Sequence, residues 1–167
     1  DLAKIESDEF TLDVENFEAN PIVAECVEMA LALAQPGNIV ISDQFSEHAG
    51  VLIRADKMRL KQALINLLAN AVKYNRDGGT VTVKGQKTDD GFLRICIADT
   101  GLGIAEHERE GVFELFHRVG VGSMKAREGT GIGLTVCKLL VDRMGGRIGL
   151  ESEEGVGSEF WVELPLV

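Results

Sequence analysis

Asn66, Asn70 and Lys73 stand four and three residues apart, and Tyr74 follows one turn beyond Asn70. At that spacing side chains share one face of a helix. Two carboxamides, an ammonium and a phenol so aligned could hold a metal–phosphate unit, because amide oxygens suit Mg2+, an ion held by few protein atoms plus phosphates and water. The competing reading is a plain solvated helix face. Two asparagines inside a helix carry a propensity cost, which weighs against that reading.

Two glycine-spaced segments lie downstream, about thirty positions apart. "DTGLGIAEHE" begins at Asp99 and "GTGIGLTV" at Gly129. A carboxylate at the end of a buried strand can accept a hydrogen bond from an exocyclic amine such as that of adenine, and Gly101 and Gly103 let the backbone come close to a flat base. A strand-to-loop turn explains the same residues without a ligand. The segment is not a dinucleotide fingerprint, since Ile104, Ala105 and Glu106 stand where a third glycine is needed. In the second segment, Gly129, Thr130, Gly131, Ile132, Gly133 and Leu134 open a helix. Free N–H groups and the positive dipole end there suit phosphate. A glycine-rich turn is the alternative, and no G-x-x-x-x-G-K-[ST] occurs, which excludes the ordinary P-loop.

Composition narrows the ligand. The chain has 167 residues and a formal charge of −10, one domain in length and too acidic for a nucleic-acid surface. The locally basic segment is His117, Arg118, Lys125 and Arg127, beside the glycine loops, and this points to a small anionic ligand. No apolar run spans a membrane and no leader is visible. Cys26, Cys96 and Cys137 sit among apolar neighbours without CxxC spacing, so reduced thiols and a cytoplasmic location are expected. The chain begins "DLAKIESDEF" without Met, which reads as a fragment of a longer protein.

The elements that must position these residues follow from pattern. "TLDVENF" alternates as a short strand. Asn20-Pro21 predicts a helix start with an Asn cap, running to Pro36-Gly37. "NIVISDQF" and "GVLIRA" read as strands around a polar turn at Ser46 to Gly50. Asp56 opens the strongest helix, with Leu60, Ala63, Leu64, Leu67, Leu68, Ala71 and Val72 as one apolar stripe. "TVTVKGQK" and "FLRICIA" form a hairpin through Asp89-Asp90-Gly91. Periodicity is poor from Glu106 to Glu128. A helix with Leu134, Cys137, Leu140, Val141 and Met144 closes at Gly145-Gly146, and "RIGLES" and "SEFWVELP" form a last hairpin. The order predicts an α+β, two-layer sandwich in which about three helices cover one face of a mixed, mostly antiparallel sheet.

The ordered series "NLLANAVKYN", "DTGLGI", "FELFHRV" and "GTGIGL" resembles the N, G1, F and G2 boxes of the catalytic and ATP-binding domain of sensor histidine kinases. That domain belongs to the wider ATPase superfamily shared with gyrase, Hsp90 and MutL. The resemblance spans Asn20 to Pro165 and implies the Bergerat ATP-binding fold over residues 11–167, with residues 1–10 as the tail of a dimerisation helix and a connector. It implies ATP and Mg2+ as cofactors. Asn70 would be the principal Mg2+ ligand with Asn66 assisting, Lys73 would reach the phosphates, and Tyr74 would pack near base or ribose. Asp99 would bind the adenine amine in a pocket shaped by Gly101, Gly103 and Ile104. Phe113 and Phe116 would anchor a lid or serve as core aromatics, and both roles can hold together. Gly129, Thr130, Gly131, Ile132, Gly133 and Leu134 would wrap the phosphates. Arg118, Lys125 or Arg127 would steady the γ-phosphate or remain solvated.

His117 falls in the lid region and is read as an exposed loop imidazole; no role is assigned to His48 or His107. The accepting histidine is expected upstream of Asp1. The resemblance therefore implies transfer of the γ-phosphoryl group to a histidine on the chain's own upstream dimerisation domain, with a response regulator as partner in the full-length protein. No nucleic-acid or membrane contact by this domain is expected, and the fragment is expected to be monomeric. Two other functions compete. A gyrase-like or Hsp90-like ATPase would carry a Glu one turn before the metal-binding Asn. Here that position is Asn66, whose carboxamide cannot take a proton at neutral pH. The other is a degenerate, kinase-like docking scaffold.

Overall fold

The structure, a computed structural model, describes residues 10–114 and 133–167. Its first strand, β1 (Glu15–Glu18), leads directly into helix α1 (Ala19–Ala34). Then come β2 (Val40–Asp43), β3 (Leu52–Ala55), α2 (Lys57–Lys73), β4 (Thr80–Lys87) and β5 (Phe92–Asp99). Helix α3 (Gly133–Arg143) precedes the closing strands β6 (Arg147–Glu153) and β7 (Gly157–Pro165).

Five strands form one sheet in the order β2-β4-β5-β7-β6, while β1 and β3 pair as a separate antiparallel ribbon. Only β2–β4 is parallel within the five-stranded sheet. An antiparallel bridge between Ile53 and Leu166 joins the ribbon to the end of the chain. Among the described residues, three α-helices cover one face. The period-2 pattern supplies the sheet's share of the core: Val81 and Val83, then Leu93, Ile95 and Ile97, then Phe160, Val162 and Leu164. The helices answer with Val23 and Val27 from α1, Leu60, Leu64, Leu67 and Leu68 from α2, and Val136, Leu140 and Val141 from α3. This is the α+β two-layer sandwich that the sequence predicts.

The α2 start is as expected: Asp56 Oδ1 accepts from the Arg59 amide at 3.1 Å, a side-chain cap. Its other oxygen accepts from the Asp13 amide at 2.9 Å, so one buried carboxylate anchors both the helix and the incoming chain. The α1 start differs. The helix opens at Ala19, before the expected Asn20 cap, and no side chain caps it. The Ala19 amide donates instead to the Val51 carbonyl at 3.1 Å, which satisfies an orphan donor from a neighbouring segment. Pro21 then falls in the first turn, where its missing N–H costs nothing.

The strands of "NIVISDQF" and "GVLIRA" also exist, but in different sheets, β2 beside β4 and β3 beside β1. Strand β2 stops at Asp43, whose Oδ1 accepts from the Phe45 amide at 2.9 Å. The chain then folds into a short 3-10 turn that buries Phe45 completely. Gly85 of β4 leaves room for that ring, since a Cβ there would lie 2.7 Å from Phe45 Cε2.

Candidate functional site

Helix α2 carries the proposed metal and phosphate face on its last two turns. Asn66, Asn70, Lys73 and Tyr74 are all half-buried, and the Lys73 ammonium lies 5.4 Å from the centre of the Tyr74 ring. The buried stripe one step around the helix, Leu64, Leu67, Leu68 and Ala71, holds α2 against the sheet and fixes the direction of this face. Helix α3 lies alongside: the Cys137 thiol donates to the Ala63 carbonyl at 3.4 Å. Burial pushes that thiol up to about 12, and a hydrogen bond from Asn66 acts in the opposite direction. Asn66 therefore sits at the junction of the two helices.

The C-terminal end of α2 meets the loop after β5. The Leu102 amide donates to the Tyr74 carbonyl at 3.1 Å. A Cβ on Gly101 would lie 2.3 Å from that same carbonyl oxygen, so only glycine fits this approach. Gly103, with φ +67°, makes a second close approach, to the Glu153 carbonyl of β6. Ile104 is buried, and its amide donates to Ser152 Oγ at 2.7 Å.

Asp99 stands between these segments. Its Oδ1 accepts from the Gly101 amide at 2.9 Å and from the Ser158 amide at 3.3 Å. Among the described residues Oδ2 has no hydrogen-bonding partner in the protein. Burial raises the carboxyl to about 6, and the two backbone donors pull the other way. A half-buried carboxylate with one oxygen committed and one available is an acceptor looking for a donor. Asp99, Gly101, Gly103 and Ile104 thus come together with Tyr74 at the end of α2.

Gly133 and Leu134 begin α3 and are half-buried. Thr135, in that helix's first turn, donates its hydroxyl to the Phe113 carbonyl at 2.9 Å, and the Phe113 ring meets Phe160 edge-on at 6.3 Å. Phe113 is thereby partly buried against the core. Phe116, His117, Arg118, Lys125, Arg127, Gly129, Thr130, Gly131 and Ile132 lie outside the described residues.

Sequence reasoning missed a set of polar residues around Asp99. Asn75, 1% exposed, donates from Nδ2 to the Thr80 carbonyl at 3.0 Å. Its Oδ1 accepts from the Arg76 amide at 2.9 Å and the Thr100 hydroxyl at 3.1 Å. Gly79 leaves space for that side chain, since a Cβ would lie 2.1 Å from Asn75 Oδ1. The guanidinium of Arg76 donates to the carbonyls of Thr100, Gly155 and Val156 at 2.5, 3.2 and 3.3 Å. "YNRDGG" reads only as a helix end and turn, and nothing in it signals partners twenty-four to eighty positions away.

A two-layer sandwich with a mostly antiparallel sheet, in which the loop after β5 meets the end of α2, is the fold of a class of ATPase domains, and comparison with known proteins places the chain within it. The chain belongs to the family of histidine kinase-, DNA gyrase B- and HSP90-like ATPases, whose profile matches residues 55–167. It is 32% identical to the sensor histidine kinase GacS of Pseudomonas protegens over 169 residues, and 33% identical to the sensor histidine kinase RcsC of Escherichia coli over 166. Each match covers 99% of this chain but only 18% and 17% of those relatives. The chain therefore spans less than a fifth of their length. Among solved structures it superposes on full-length ShkA in complex with AMPPNP with a TM-score of 0.84 at 32% identity, covering 99% of this chain and 34% of that one. It matches the mycobacterial sensor histidine kinase MprB with a TM-score of 0.77 at 26% identity, covering 91% and 98%. No helix among the described residues is long and apolar enough to cross a membrane.

Proposed function

We propose that this chain is the ATP-binding catalytic domain of a sensor histidine kinase, which binds MgATP and presents the γ-phosphoryl group to a histidine on an upstream dimerisation domain. Residues 1–10 would be the tail of the dimerisation helix and the connector, and a response regulator would receive the phosphoryl group in the whole protein. The observation that carries the reading is Asp99, whose Oδ1 takes both backbone donors while Oδ2 accepts from none of the described residues. An adenine amine is a donor of the right kind for it, and the AMPPNP complex of the similar ShkA supports a nucleotide as ligand.

The donor set fits magnesium. Asn70 and Asn66 offer neutral carboxamide oxygens on one half-buried helix face, and among the described residues no cluster of three His, Cys, Asp or Glu competes for an ion. Mg2+ bound there would neutralise phosphate charge. Lys73 would pair with the phosphates and Tyr74 would pack beside the base or ribose. Gly133 and Leu134 begin the helix whose N-terminal turn, with Gly129 to Ile132, would cradle the polyphosphate. These residues bind and orient; the domain needs no nucleophile, since phosphoryl transfer is mostly positioning and electrostatics.

Asn66 favours transfer over hydrolysis, because a carboxamide one turn before Asn70 cannot act as a base toward water. Calorimetric titration with MgATP tests the binding step. Saturable binding that Asp99→Asn weakens more than ten-fold supports the reading, and absence of binding to the folded chain leaves only a docking scaffold. Acid-labile labelling from γ-32P-ATP in the full-length protein tests transfer, and rapid ATP hydrolysis without labelling would favour a gyrase-like ATPase.

A further inference from the structure

Arg76 joins three segments that lie far apart in sequence. It follows α2 by three residues, yet its guanidinium reaches the Thr100 carbonyl on one side and the Gly155 and Val156 carbonyls on the other. Thr100 is the residue immediately after Asp99. Val156 is two residues before Ser158, whose amide donates to Asp99 Oδ1. The planar fork of one side chain thus grips both the loop that follows the carboxylate and the β6–β7 turn just ahead of Ser158, the β7 residue whose amide is one of its donors. The neighbouring bonds pull in the same direction. Thr100 Oγ1 accepts from the Thr80 amide at 2.9 Å, and the Gly155 amide donates to the Leu102 carbonyl at 2.7 Å.

We infer that Arg76 is a positioning residue for base recognition, setting the distance between the Asp99 loop and the β6–β7 turn so that the Asp99 carboxylate presents its outer oxygen to an adenine amine. The inference rests on the nucleotide reading above. Arg76 works through backbone carbonyls, the acceptors of all three of its guanidinium hydrogen bonds, and makes none to the Asp99 carboxylate. Its effect therefore falls on where the carboxylate points. Adenine and guanine differ at the position such a carboxylate reads: adenine offers an amine donor, guanine a carbonyl acceptor. A carboxylate held in place rewards the first and repels the second. A carboxylate free to swing does less of both, while the polyphosphate contacts on α2 and α3 are untouched.

The test uses this chain with Arg76→Ala and Arg76→Lys. Calorimetry with MgATP, competition by GTP, and amide hydrogen exchange at Gly101 and Ser158 are read together. Arg76→Ala is expected to weaken ATP roughly ten-fold, the scale typical of supporting-shell substitutions. It should reduce the ATP-over-GTP preference and speed exchange at both amides. Arg76→Lys, which keeps the charge but not the fork, is expected to recover only part of the affinity and preference. Should Arg76→Ala not fold, Arg76→Lys alone carries the comparison. ATP binding and base preference that survive both substitutions, with exchange at Gly101 and Ser158 unaltered, overturn the inference and leave the nucleotide reading standing. A chain with native Arg76 that binds no ATP overturns that reading, and the recognition role of Arg76 with it.

Discussion

Asp99 and Ser158 are direct cross-strand partners in the β5–β7 ladder, and the Ser158 amide also donates to the Asp99 side chain at 3.3 Å. The ladder that builds the sheet therefore also orients the carboxylate. Gly157 makes this approach possible, since a Cβ there would lie 2.0 Å from the Asp99 carbonyl. Ser158 itself is held by Ser152, whose Oγ lies 2.8 Å from Ser158 Oγ. Asp99 is fixed from both sides before any ligand arrives, which lowers the ordering cost of binding.

That burial makes Asp99 sensitive to pH. Its folded pKa of about 6 lies above the ordinary 3.8, chiefly because burial disfavours the charge. The folded form holds the proton where the unfolded chain has released it, so the contribution of Asp99 to stability is fully present below about pH 4 and is lost as pH rises through about 6. With the group partly exposed, the loss is about 2 kcal/mol. Asp99→Asn keeps an acceptor for the Gly101 and Ser158 amides and removes the charge. Urea melts across pH 4 to 8 are expected to show a flatter profile and a gain of about 1 kcal/mol at pH 7. Adenine-nucleotide affinity is expected to fall more than ten-fold in the variant, and in the parent chain to fade below about pH 6 as Asp99 takes up its proton.

Gly101 and Gly91 separate two reasons for glycine. At Gly101 a Cβ would lie 2.3 Å from the Tyr74 carbonyl oxygen and 2.9 Å from Asp99 Oδ1, with backbone that cannot retreat. At Gly91 a Cβ would meet nothing within 4 Å, and the constraint is a φ of +91°. Gly101→Ala is expected to cost about 3 kcal/mol and to abolish nucleotide binding. Gly91→Ala should cost about 1 kcal/mol and leave binding intact. Chemical denaturation and MgATP titration of the two variants check both statements.

The layers of this molecule were legible because its helices and inner strands repeat their apolar residues at clean periods. Leu60 through Ala71 on α2 and Leu93, Ile95 and Ile97 on β5 are the plainest cases. Pairing was less so. Nothing in "NIVISDQF" tells that β2 lies parallel to β4, since that register depends on Phe45 entering the space beside Gly85. The site divides the same way. Asp99 and its glycines show in sequence because a carboxylate before G-x-G is a local signal. Arg76, Asn75 and Thr100 do not, because what matters about them is a set of carbonyls and hydroxyls brought near by folding. The Asn20 cap fails for a similar reason: the Val51 carbonyl does its work from thirty-two positions away.

Far from Asp99, at the other end of β5 and β7, Glu163 is 2% exposed and shared by two arginines. Arg94 Nε donates to it at 2.8 Å and Arg147 Nε at 2.6 Å. Both guanidiniums also lie over aromatic rings, Arg94 over Trp161 at 4.1 Å and Arg147 over Phe92 at 4.0 Å. Removing the carboxylate leaves two cations facing each other, but both are partly solvated and can turn outward. Glu163→Ala is therefore expected to cost about 2 kcal/mol, below the range for a fully buried pair. Thermal melts check that cost, and unchanged MgATP affinity in the same variant checks that this network is separate from the site.

The three cysteines report on opening of the fold. Burial raises Cys26 to about 11, Cys96 to about 12 and Cys137 to about 12, and all three are free. Thiolate is the reactive form, so at pH 8 the folded chain presents almost none of it. Cys137 is doubly protected, because it lies fully buried between α2 and α3 beside Asn66. Alkylation by iodoacetamide is expected to be slow in the native chain and fast for all three thiols in denaturant, read by mass spectrometry of the digested protein. On the proposed reading MgATP bridges α2 and α3 and stabilises the closed form by mass action, so at one hundred times its Kd it should slow labelling of Cys137 by roughly a hundred-fold where labelling follows global unfolding. Cys96, on the opposite face of the sheet at 6% exposure, reaches reagent through smaller openings and should be slowed less. Equal slowing at both positions would show that nucleotide tightens the whole domain, whereas no slowing at Cys137 would separate the ligand from the α2–α3 junction.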